Sequence, residues 1–184
     1  MTPKIGTILV ISVLVIAGCS AKPPSPDLRC ASLPAQVLAA QSVPDAEYVP
    51  CIKDILPPWS LMSTDSDQDR TQVVMEWSSS GSATERALVS LKATCPSDGV
   101  PEPPRTDLPP GVSVTEAVVG RTVTTVYAFE GGCVQVDVKR ARQHEVAPLT
   151  TDDFTIEFVP REVLNAYVLE QTNDQVELDP VEGS

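Results

Sequence analysis

The segment 121–139, RTVTTVYAFEGGCVQVDVK, decides the fold of this chain. Its first half is rich in threonine, valine and aromatic residues, which favour β-strands. In its second half Val134, Val136 and Val138 alternate with polar residues, a period of two that is typical of a strand with one buried face. Glu130-Gly131-Gly132 between the halves can form a turn with a positive φ angle. The segment therefore predicts an antiparallel hairpin whose inward face is the three valines.

A second, earlier hairpin is predicted from two alternating stretches. In Thr71 to Trp77, the side chains of Val73, Met75 and Trp77 fall on one face, and Ala87 to Ala93 repeats the same period. The connection between the two stretches is polar and flexible. Together the two hairpins predict an α+β fold with a small antiparallel sheet of about four or five strands.

Helices are predicted on both sides of these hairpins. In the segment 33–41, LPAQVLAAQ, a proline in the first turn precedes good helix formers, which predicts a short helix. Over 160–171, apolar residues at helical spacing predict an amphipathic C-terminal helix that packs on one face of the sheet. Asn173-Asp174 is expected to end this helix, and a short edge strand is predicted at 176–178.

The segment 149–159 has two interpretations. Phe154, Ile156 and Phe158 alternate as they would in a strand. Thr151-Asp152-Asp153 could instead cap a helix that presents both phenylalanines on one face. The residues alone leave strand and helix open.

The N-terminal segment is predicted to be a targeting signal, residues 1–18. Lys4 precedes an apolar run from Ile5 to Ile16, which is too short to span a bilayer as a helix but has the length of a secretory h-region. The closing residues, Ile16-Ala17-Gly18-Cys19, resemble the lipobox of bacterial lipoproteins. That resemblance implies cleavage before Cys19 and a diacylglyceryl group on its sulfur. The alternative is an ordinary secretory signal whose cleavage site happens to end in cysteine.

The rest of the chain is expected to be one domain on a stalk. Residues 19–29 contain three prolines and are predicted to form a semi-rigid spacer, followed by a single domain over 30–179 and an acidic tail over 180–184. Within the domain, the segment 96–111 holds six prolines, which disfavour both helix and sheet. It is expected to be a disordered excursion in preference to a contact surface or a domain boundary.

Four cysteines remain once Cys19 is assigned to lipid. An even number of cysteines in an oxidising compartment predicts two disulfides. Of the three pairings, we favour Cys30 with Cys51 and Cys95 with Cys133, because each links segments that the strand pattern can bring together; a bond between Cys51 and Cys133 would contradict this choice. No two of the four have the C-x-x-C spacing and the chain has one histidine, so a zinc site is not expected.

The charge of the chain restricts its partners. Removal of residues 1–18 takes away only Lys4, so 12 basic residues remain against 25 acidic ones, a formal charge of −13. Such a charge repels nucleic acid, and we expect no nucleic-acid partner. It also favours solubility beside a membrane.

A weak calcium-site candidate lies at the start of the hairpin predicted over 71–93. Asp65, Asp67, Asp69 and Glu76 stand at positions 1, 3, 5 and 12 of a loop that partly resembles an EF-hand. Arg70 replaces the glycine that such a loop needs, and the following residues predict a strand where a helix should begin. A solvated acidic turn is therefore the favoured interpretation, and no metal or other cofactor is expected.

Two other groups of residues are candidate sites. The basic cluster that ends in His144, KRARQH at 139–144, could hold an anion such as a phosphate, but a hydrated strand end is favoured because no glycine-rich cradle accompanies it. Asp152 and Asp153 are adjacent, so on a strand they would point to opposite faces. The chain contains no G-x-S-x-G, S-x-x-K or H-E-x-x-H motif, and we do not expect an enzyme.

Four short elements of the domain resemble parts of uncharacterised secreted or membrane-anchored actinobacterial proteins. They are Tyr48-Val49-Pro50-Cys51, Leu56-Pro57-Pro58-Trp59, Gly131-Gly132-Cys133 and Val159-Pro160-Arg161. The resemblance implies a folded, disulfide-bonded domain and adds no activity. Trp59 and Arg161 could line a shared pocket, although we favour a core position for Trp59 and an acidic partner for Arg161.

The function expected from these observations is a non-catalytic one. A lipid-anchored interaction or scaffold module on the extracytoplasmic side of the cell membrane, with an envelope protein as its partner, accounts for the anchor, the stalk and the disulfides. A small-ligand or calcium-binding lipoprotein is the alternative. A hydrolase of cell-wall or lipid substrates is the third class.

Overall fold

The computed structural model describes residues 28–78, 84–140 and 154–180. This part of the chain forms two helices and nine strands. Their order is α1 (Leu33–Ser42), β1 (Tyr48–Lys53), β2 (Trp59–Asp67), β3 (Arg70–Ser78), β4 (Thr84–Lys92), β5 (Val100–Pro101), β6 (Ser113–Val119), β7 (Thr122–Phe129), β8 (Gly132–Lys139), β9 (Thr155–Pro160) and α2 (Arg161–Gln171).

Seven of the strands form one antiparallel sheet in the order β2-β3-β4-β8-β7-β6-β5. Both predicted hairpins are confirmed: they are β3–β4 and β7–β8. The prediction of about four or five strands was wrong, because the described residues form seven in this sheet and two more in a second one. The sequence pattern missed β2, which is mostly exposed and rich in serine and aspartate, and β6, which has only one buried side chain.

The inner face of the large sheet carries the core. The register places Val73, Val89 and Val136 in one row across β3, β4 and β8. The three valines predicted to point inward, Val134, Val136 and Val138, are each at most 4% exposed. Burial of such branched side chains is the main source of stability for the sheet.

The outer face of the same sheet is held by polar side chains. Lys92 Nζ donates to Gln135 Oε1 at 2.7 Å, and Gln135 Nε2 donates to Asp137 Oδ2 at 2.7 Å. Thr124 Oγ1 donates to Asp137 Oδ1 at 2.6 Å. The two faces of the sheet therefore differ sharply in polarity.

A second, two-stranded sheet packs on the domain core. Strands β1 and β9 pair antiparallel, with Tyr48 opposite Pro160 and Ile52 opposite Ile156. The ambiguous segment is thus a strand from Thr155 onward, with Phe158 buried. α2 follows β9 directly and packs against β1 and β9, whereas α1 packs against β1, β2 and β3.

Both predicted helices are confirmed. The side chain of Ser32 caps α1 by accepting a hydrogen bond from the Ala35 amide at 3.3 Å. Asn173 and Asp174 follow α2 with positive φ angles of 51° and 60°, the left-handed conformation that ends many helices. Neither helix of the described ranges has the length and hydropathy needed to cross a membrane.

The residues after α2 correct one prediction. No strand forms over 172–180, so the short edge strand predicted at 176–178 was wrong. Leu178 is instead buried at 4% exposure, and its amide donates to Asn165 Oδ1 at 2.9 Å. A side chain of α2 therefore takes the place of a neighbouring strand.

The disulfides have the predicted pairing. Cys30 is bonded to Cys51 and Cys95 to Cys133, with Cα–Cα distances of 5.2 and 5.7 Å. Both distances lie in the usual range for a disulfide. The second bond follows from the strand order, since Lys92 at the end of β4 lies opposite Cys133 on β8.

Candidate ligand-binding cleft

A cleft of about 650 Å³ opens over the inner face of β6, β7 and β8. Its second wall is the segment 154–158, which contains the start of β9. Its third wall is the proline-rich segment around 102–109. A volume of this size is within the range of small-molecule sites, about 300 to 1,000 Å³.

Aromatic side chains form the floor of the cleft. The rings of Tyr127 and Phe158 lie 5.0 Å apart between centroids and are tilted by 53°. Phe158 also meets Phe129 at 6.4 Å, outside the cleft lining. Phe154, on the cleft wall, packs edge-on against Trp59 at 5.7 Å. These contacts hold the aromatic surface in a fixed position, because each ring is braced by another.

Charged side chains surround this floor. Arg105 donates to both carboxylate oxygens of Asp107, at 3.1 Å from Nε and 2.6 Å from Nη2. This hydrogen bonding lowers the pKa of the Asp107 carboxyl and raises that of the Arg105 guanidinium. Glu157 on the β9 side forms an ion pair with Lys53. These two carboxylates of the cleft are therefore already neutralised.

Two further carboxylates of the cleft lack such a partner. Glu116 lies on β6 opposite Thr125, and the amide of Glu102 donates to the Val114 carbonyl at 2.9 Å. Neither side chain forms a salt bridge within the described ranges. Glu102 is also attracted by Arg105, but Arg105 is already paired with Asp107, so this side of the cleft keeps a net negative charge.

Tyr127 joins the aromatic floor to the charged rim. Burial raises the pKa of its phenol, and the nearby Arg105 opposes part of that increase. The phenol is therefore neutral at physiological pH and can donate a hydrogen bond into the cleft. It is not a proton acceptor of the kind that general-base chemistry requires.

Replacing Tyr127 with phenylalanine tests this environment. The pKa of the phenol is raised above 10.0 in the folded state, so its contribution to stability is complete below pH 10 and is lost as the pH rises through the raised value. Above pH 10, the free energy of unfolding of the wild type should fall more steeply than that of the variant, by up to about 1.4 kcal/mol per pH unit. Chemical denaturation over a pH series measures both slopes. Equal slopes would contradict the burial of the phenol.

The proline-rich segment is ordered, contrary to our expectation of a disordered excursion. Val100 and Pro101 form β5, which pairs with Glu116 and Thr115 of β6. A proline is tolerated there because β5 is the last strand of the sheet, where an amide is not needed for a further neighbour. Of the alternatives considered, the contact surface describes this segment best, since it forms a wall of the cleft.

The calcium candidates do not form a loop. Asp67 and Arg70 face each other across the β2–β3 turn, and Arg70 Nη2 contacts Asp67 Oδ2 at 3.2 Å. Glu76 lies opposite Ser60, four residues along β3 from the partner of Asp65, a separation of roughly 13 Å. Asp69 lies in the turn itself. Within the described ranges, no group of three or more acidic, histidine or cysteine side chains could hold a metal ion.

Several predicted features lie outside the described residues. These are the signal segment, Cys19, most of the stalk and acidic tail, His144, Asp152 and Asp153. Of the basic cluster, Lys139 and Arg140 are described, and Arg140 Nη1 donates to Glu85 Oε2 at 2.7 Å. Both side chains of this pair are 11% exposed, so Arg140 stabilises the end of the sheet by joining β8 to β4.

Trp59 and Arg161 do not share a pocket. Trp59 packs in the core, as favoured from the sequence, and is 6% exposed. Arg161 is 7% exposed, but its hydrogen bonds go to main-chain carbonyls, at 2.5 Å to Ala40 and 2.7 Å to Asp179. Its acidic neighbours, Asp179 and Asp45, therefore act on it electrostatically and not through side-chain hydrogen bonds; burial is the largest effect and lowers the pKa of Arg161, and the two carboxylates oppose part of that shift.

Sequence reasoning missed the cleft and its residues. The signal for Tyr127 was present, since it lies opposite Val134 in the β7–β8 hairpin and shares the inward face. The sequence did not indicate that Glu102, Asp107 and Glu116 lie in one cleft. Nothing in the local pattern shows which strand the proline-rich segment pairs with.

Comparison with protein-family models, with curated proteins and with solved structures found no match for this chain. The cleft and the signal segment are therefore the features that bear on the class of this protein.

Proposed function

We propose that this protein is a non-catalytic binding module, held on the extracytoplasmic side of the cell membrane by a lipidated Cys19, whose cleft holds a small ligand. The observation that carries the proposal is the cleft of about 650 Å³, with its aromatic floor and acidic rim. Pockets that combine an apolar floor with a few placed polar groups are the usual form of small-molecule sites. The proposal follows the small-ligand alternative of the sequence analysis more closely than the scaffold interpretation.

Binding is favoured over chemistry by the state of the polar groups in the cleft. The one guanidinium is engaged by Asp107, and the phenol of Tyr127 has a raised pKa. The four cysteines of the domain are consumed in disulfides. These groups are suited to orienting a ligand and not to attacking one.

Blocking the cleft is the experiment that tests this function. Thr125 lies on the inner face of β7, so a Thr125→Phe substitution fills the cleft, whereas Thr122→Phe places the same ring on the opposite face of the same strand. Small molecules that co-purify with the wild-type protein from native membranes should also be found with Thr122→Phe and be lost with Thr125→Phe. Mass spectrometry of the extracted protein measures this. Identical sets of molecules from all three proteins, or none from the wild type, would contradict the proposal.

The anchor is tested by replacing Cys19 with alanine. Wild-type protein should incorporate a fatty-acid label and stay in the membrane fraction, because two acyl chains give stable residence in a bilayer. The Cys19→Ala form should take up no label and either leave the membrane or keep its uncleaved signal. Label on the alanine form would rule out Cys19 as the lipidated residue.

An envelope protein partner is the second candidate, and one surface favours it. Val118 and Val119, at the end of β6, are 56% and 77% exposed, and among the described residues the pairing with β5 covers only Thr115 and Glu116 of this strand. An open strand edge with exposed apolar residues is a common docking site for another chain. Crosslinking in native membranes, with the Cys19→Ala form as the comparison, should enrich such a partner with the anchored form alone.

A further inference from the structure

We infer that the ligand of the cleft is an organic cation with an apolar body, such as an amine or quaternary ammonium compound, and that Glu102 and Glu116 recognise its charge. This inference rests on the proposed binding function and names the class of ligand. It is drawn from three features of the cleft: its unbalanced charge, its aromatic floor and the Thr125 hydroxyl that opens into it.

The charge of the cleft is negative after its ion pairs are counted. Arg105 balances Asp107, and Lys53 balances Glu157, which leaves Glu102 and Glu116. Val100 pairs with Glu116, so Glu102, two residues further on, is a diagonal neighbour of Glu116 at roughly 7 to 8 Å between Cα atoms. Like charges at this separation repel each other, and a cation between them would relieve the repulsion.

The aromatic floor suits the same class of ligand. Tyr127, Phe154 and Phe158 line the cleft, and an aromatic face attracts a cation that lies within about 6 Å of the ring centre. Cation–π contacts are strongest where water is excluded, as they are for quaternary ammonium ligands in aromatic cages. A ligand with an apolar body would also bury surface against Leu108 and Ile156, which lie on the same walls.

Thr125 supplies an independent sign of a ligand. It is 8% exposed, lies on the cleft wall between Glu116 and Val136 in the register, and is polar. Its hydroxyl makes no hydrogen bond to another side chain or carbonyl in the parts of the chain that the structure describes, and it stays accessible within the cleft. A hydroxyl that is both donor and acceptor and opens into a cleft is available to a ligand there.

Other ligand classes fit less well. An anion would meet two carboxylates that are not neutralised, in a protein whose net charge is already −12 over the full sequence. An inorganic cation needs converging oxygen ligands, and the described residues contain no such group. A neutral ligand would leave both carboxylates uncompensated.

The experiment compares three probes that share a benzyl group: benzyltrimethylammonium, benzyl alcohol and phenylmethanesulfonate. The full-length lipidated protein is used in nanodiscs of zwitterionic lipid, with empty nanodiscs to subtract partition into the bilayer. Calorimetry or ligand-observed NMR gives each dissociation constant. We expect benzyltrimethylammonium to bind at least tenfold more tightly than benzyl alcohol, and phenylmethanesulfonate to show no saturable binding.

Two sets of variants test whether Glu102 and Glu116 bind the positive charge of the ligand. The double variant Glu102→Gln/Glu116→Gln should weaken binding of benzyltrimethylammonium about tenfold or more and leave binding of benzyl alcohol unchanged. Glu130→Gln, on an exposed turn outside the cleft, is the matched control and should change neither. Higher ionic strength should weaken only the cation, because salt screens its attraction to the carboxylates.

The outcomes separate the ligand class from the binding function. Equal binding of the cation and the alcohol, or tightest binding of the sulfonate, would overturn the cationic class while the cleft remained a binding site. Unchanged cation binding by the double glutamine variant would overturn the role of the two glutamates. Saturable binding of none of the three probes would overturn both this inference and the proposed function.

Discussion

Replacing Gly131 with alanine should lower the free energy of unfolding by about 4 kcal/mol. Gly131 has a φ angle of +77°, and an added Cβ would lie 1.6 Å from the carbonyl oxygen of Asp45. The left-handed conformation costs a residue with a Cβ roughly 1 to 2 kcal/mol. The overlap adds more, because the atom in the way belongs to the main chain and cannot rotate aside.

The structural reason lies in how the domain is assembled. The turn between β7 and β8 is covered by the segment that connects α1 to β1, and the Glu47 amide donates to the Glu130 carbonyl at 3.0 Å. A methyl group at position 131 would push this segment away and disturb that hydrogen bond. The substitution therefore affects the docking of α1 and β1 as well as the turn itself.

Gly120→Ala is the matched control. Gly120 also has a positive φ angle, +63°, in the turn between β6 and β7, but an added Cβ would meet nothing within 4 Å. It should cost only about 1 to 2 kcal/mol. Chemical denaturation of the three proteins measures the difference, which isolates the steric part of the effect. Equal losses for the two variants would show that the Asp45 contact is not a constraint.

Replacing Arg161 with methionine should lower the free energy of unfolding by about 3 kcal/mol. The Arg161 guanidinium donates to the carbonyl of Ala40, in the last turn of α1. In a continuing helix this carbonyl would accept a hydrogen bond from the amide of the residue four positions later. That residue is Pro44, which has no amide hydrogen to donate. Methionine matches the length of arginine but leaves a buried carbonyl without a partner, which costs about 1 to 3 kcal/mol by itself.

Two terms act in opposite directions at this site. Burial of the charged guanidinium is unfavourable, as the lowered pKa of Arg161 indicates, and methionine removes that cost. The lost hydrogen bonds outweigh it, because Arg161 also holds the Asp179 carbonyl at 2.7 Å and joins α1, α2 and the following segment. The Ala40 carbonyl is fully buried in the last turn of α1, so it cannot find a new donor without moving that helix end.

A graded series checks this explanation. Arg161→Lys keeps the charge but has one ammonium group for two separated carbonyls, so its loss should be intermediate. Arg86→Met, at an exposed position of β4, is the control and should change stability by less than about 0.5 kcal/mol. A methionine variant at position 161 as stable as the wild type would show that the Ala40 carbonyl is satisfied by another group.

The elements predicted correctly share a strong local signal. The β7–β8 hairpin was predicted from the alternation of its three valines beside a glycine turn, and α1 from its proline and its helix formers. The disulfide pairing followed because strand adjacency and cysteine position agree, as at Lys92 and Cys133. In the hairpin and the helix a few neighbouring residues contain the reason for the structure, whereas the disulfide between Cys95 and Cys133 also needs β4 to lie beside β8.

The elements that were missed lack such a signal. β2 has a polar, exposed sequence, and its strand form depends on pairing with β3. The two-residue strand β5 exists only because β6 offers it an edge. The segment before β9 could have been helix or strand, and its pairing with β1 decides the matter. Tertiary contacts override local propensity at these positions.

By itself, the sequence determined the hairpin valines, the two helices, the even set of four cysteines and the acidic charge, because periodicity and composition act over a few residues or over the whole chain. Only the tertiary structure decided the cleft. Its walls come from 102–109, 116–136 and 154–158, three segments that meet through strand pairing and through the packing of the second sheet, and not through any pattern of their own. The same holds for Arg161 and Gly131, whose partners, Ala40 and Asp45, lie more than 80 residues away in the chain. Such contacts depend on which surfaces pack together, and a one-dimensional pattern does not contain that information.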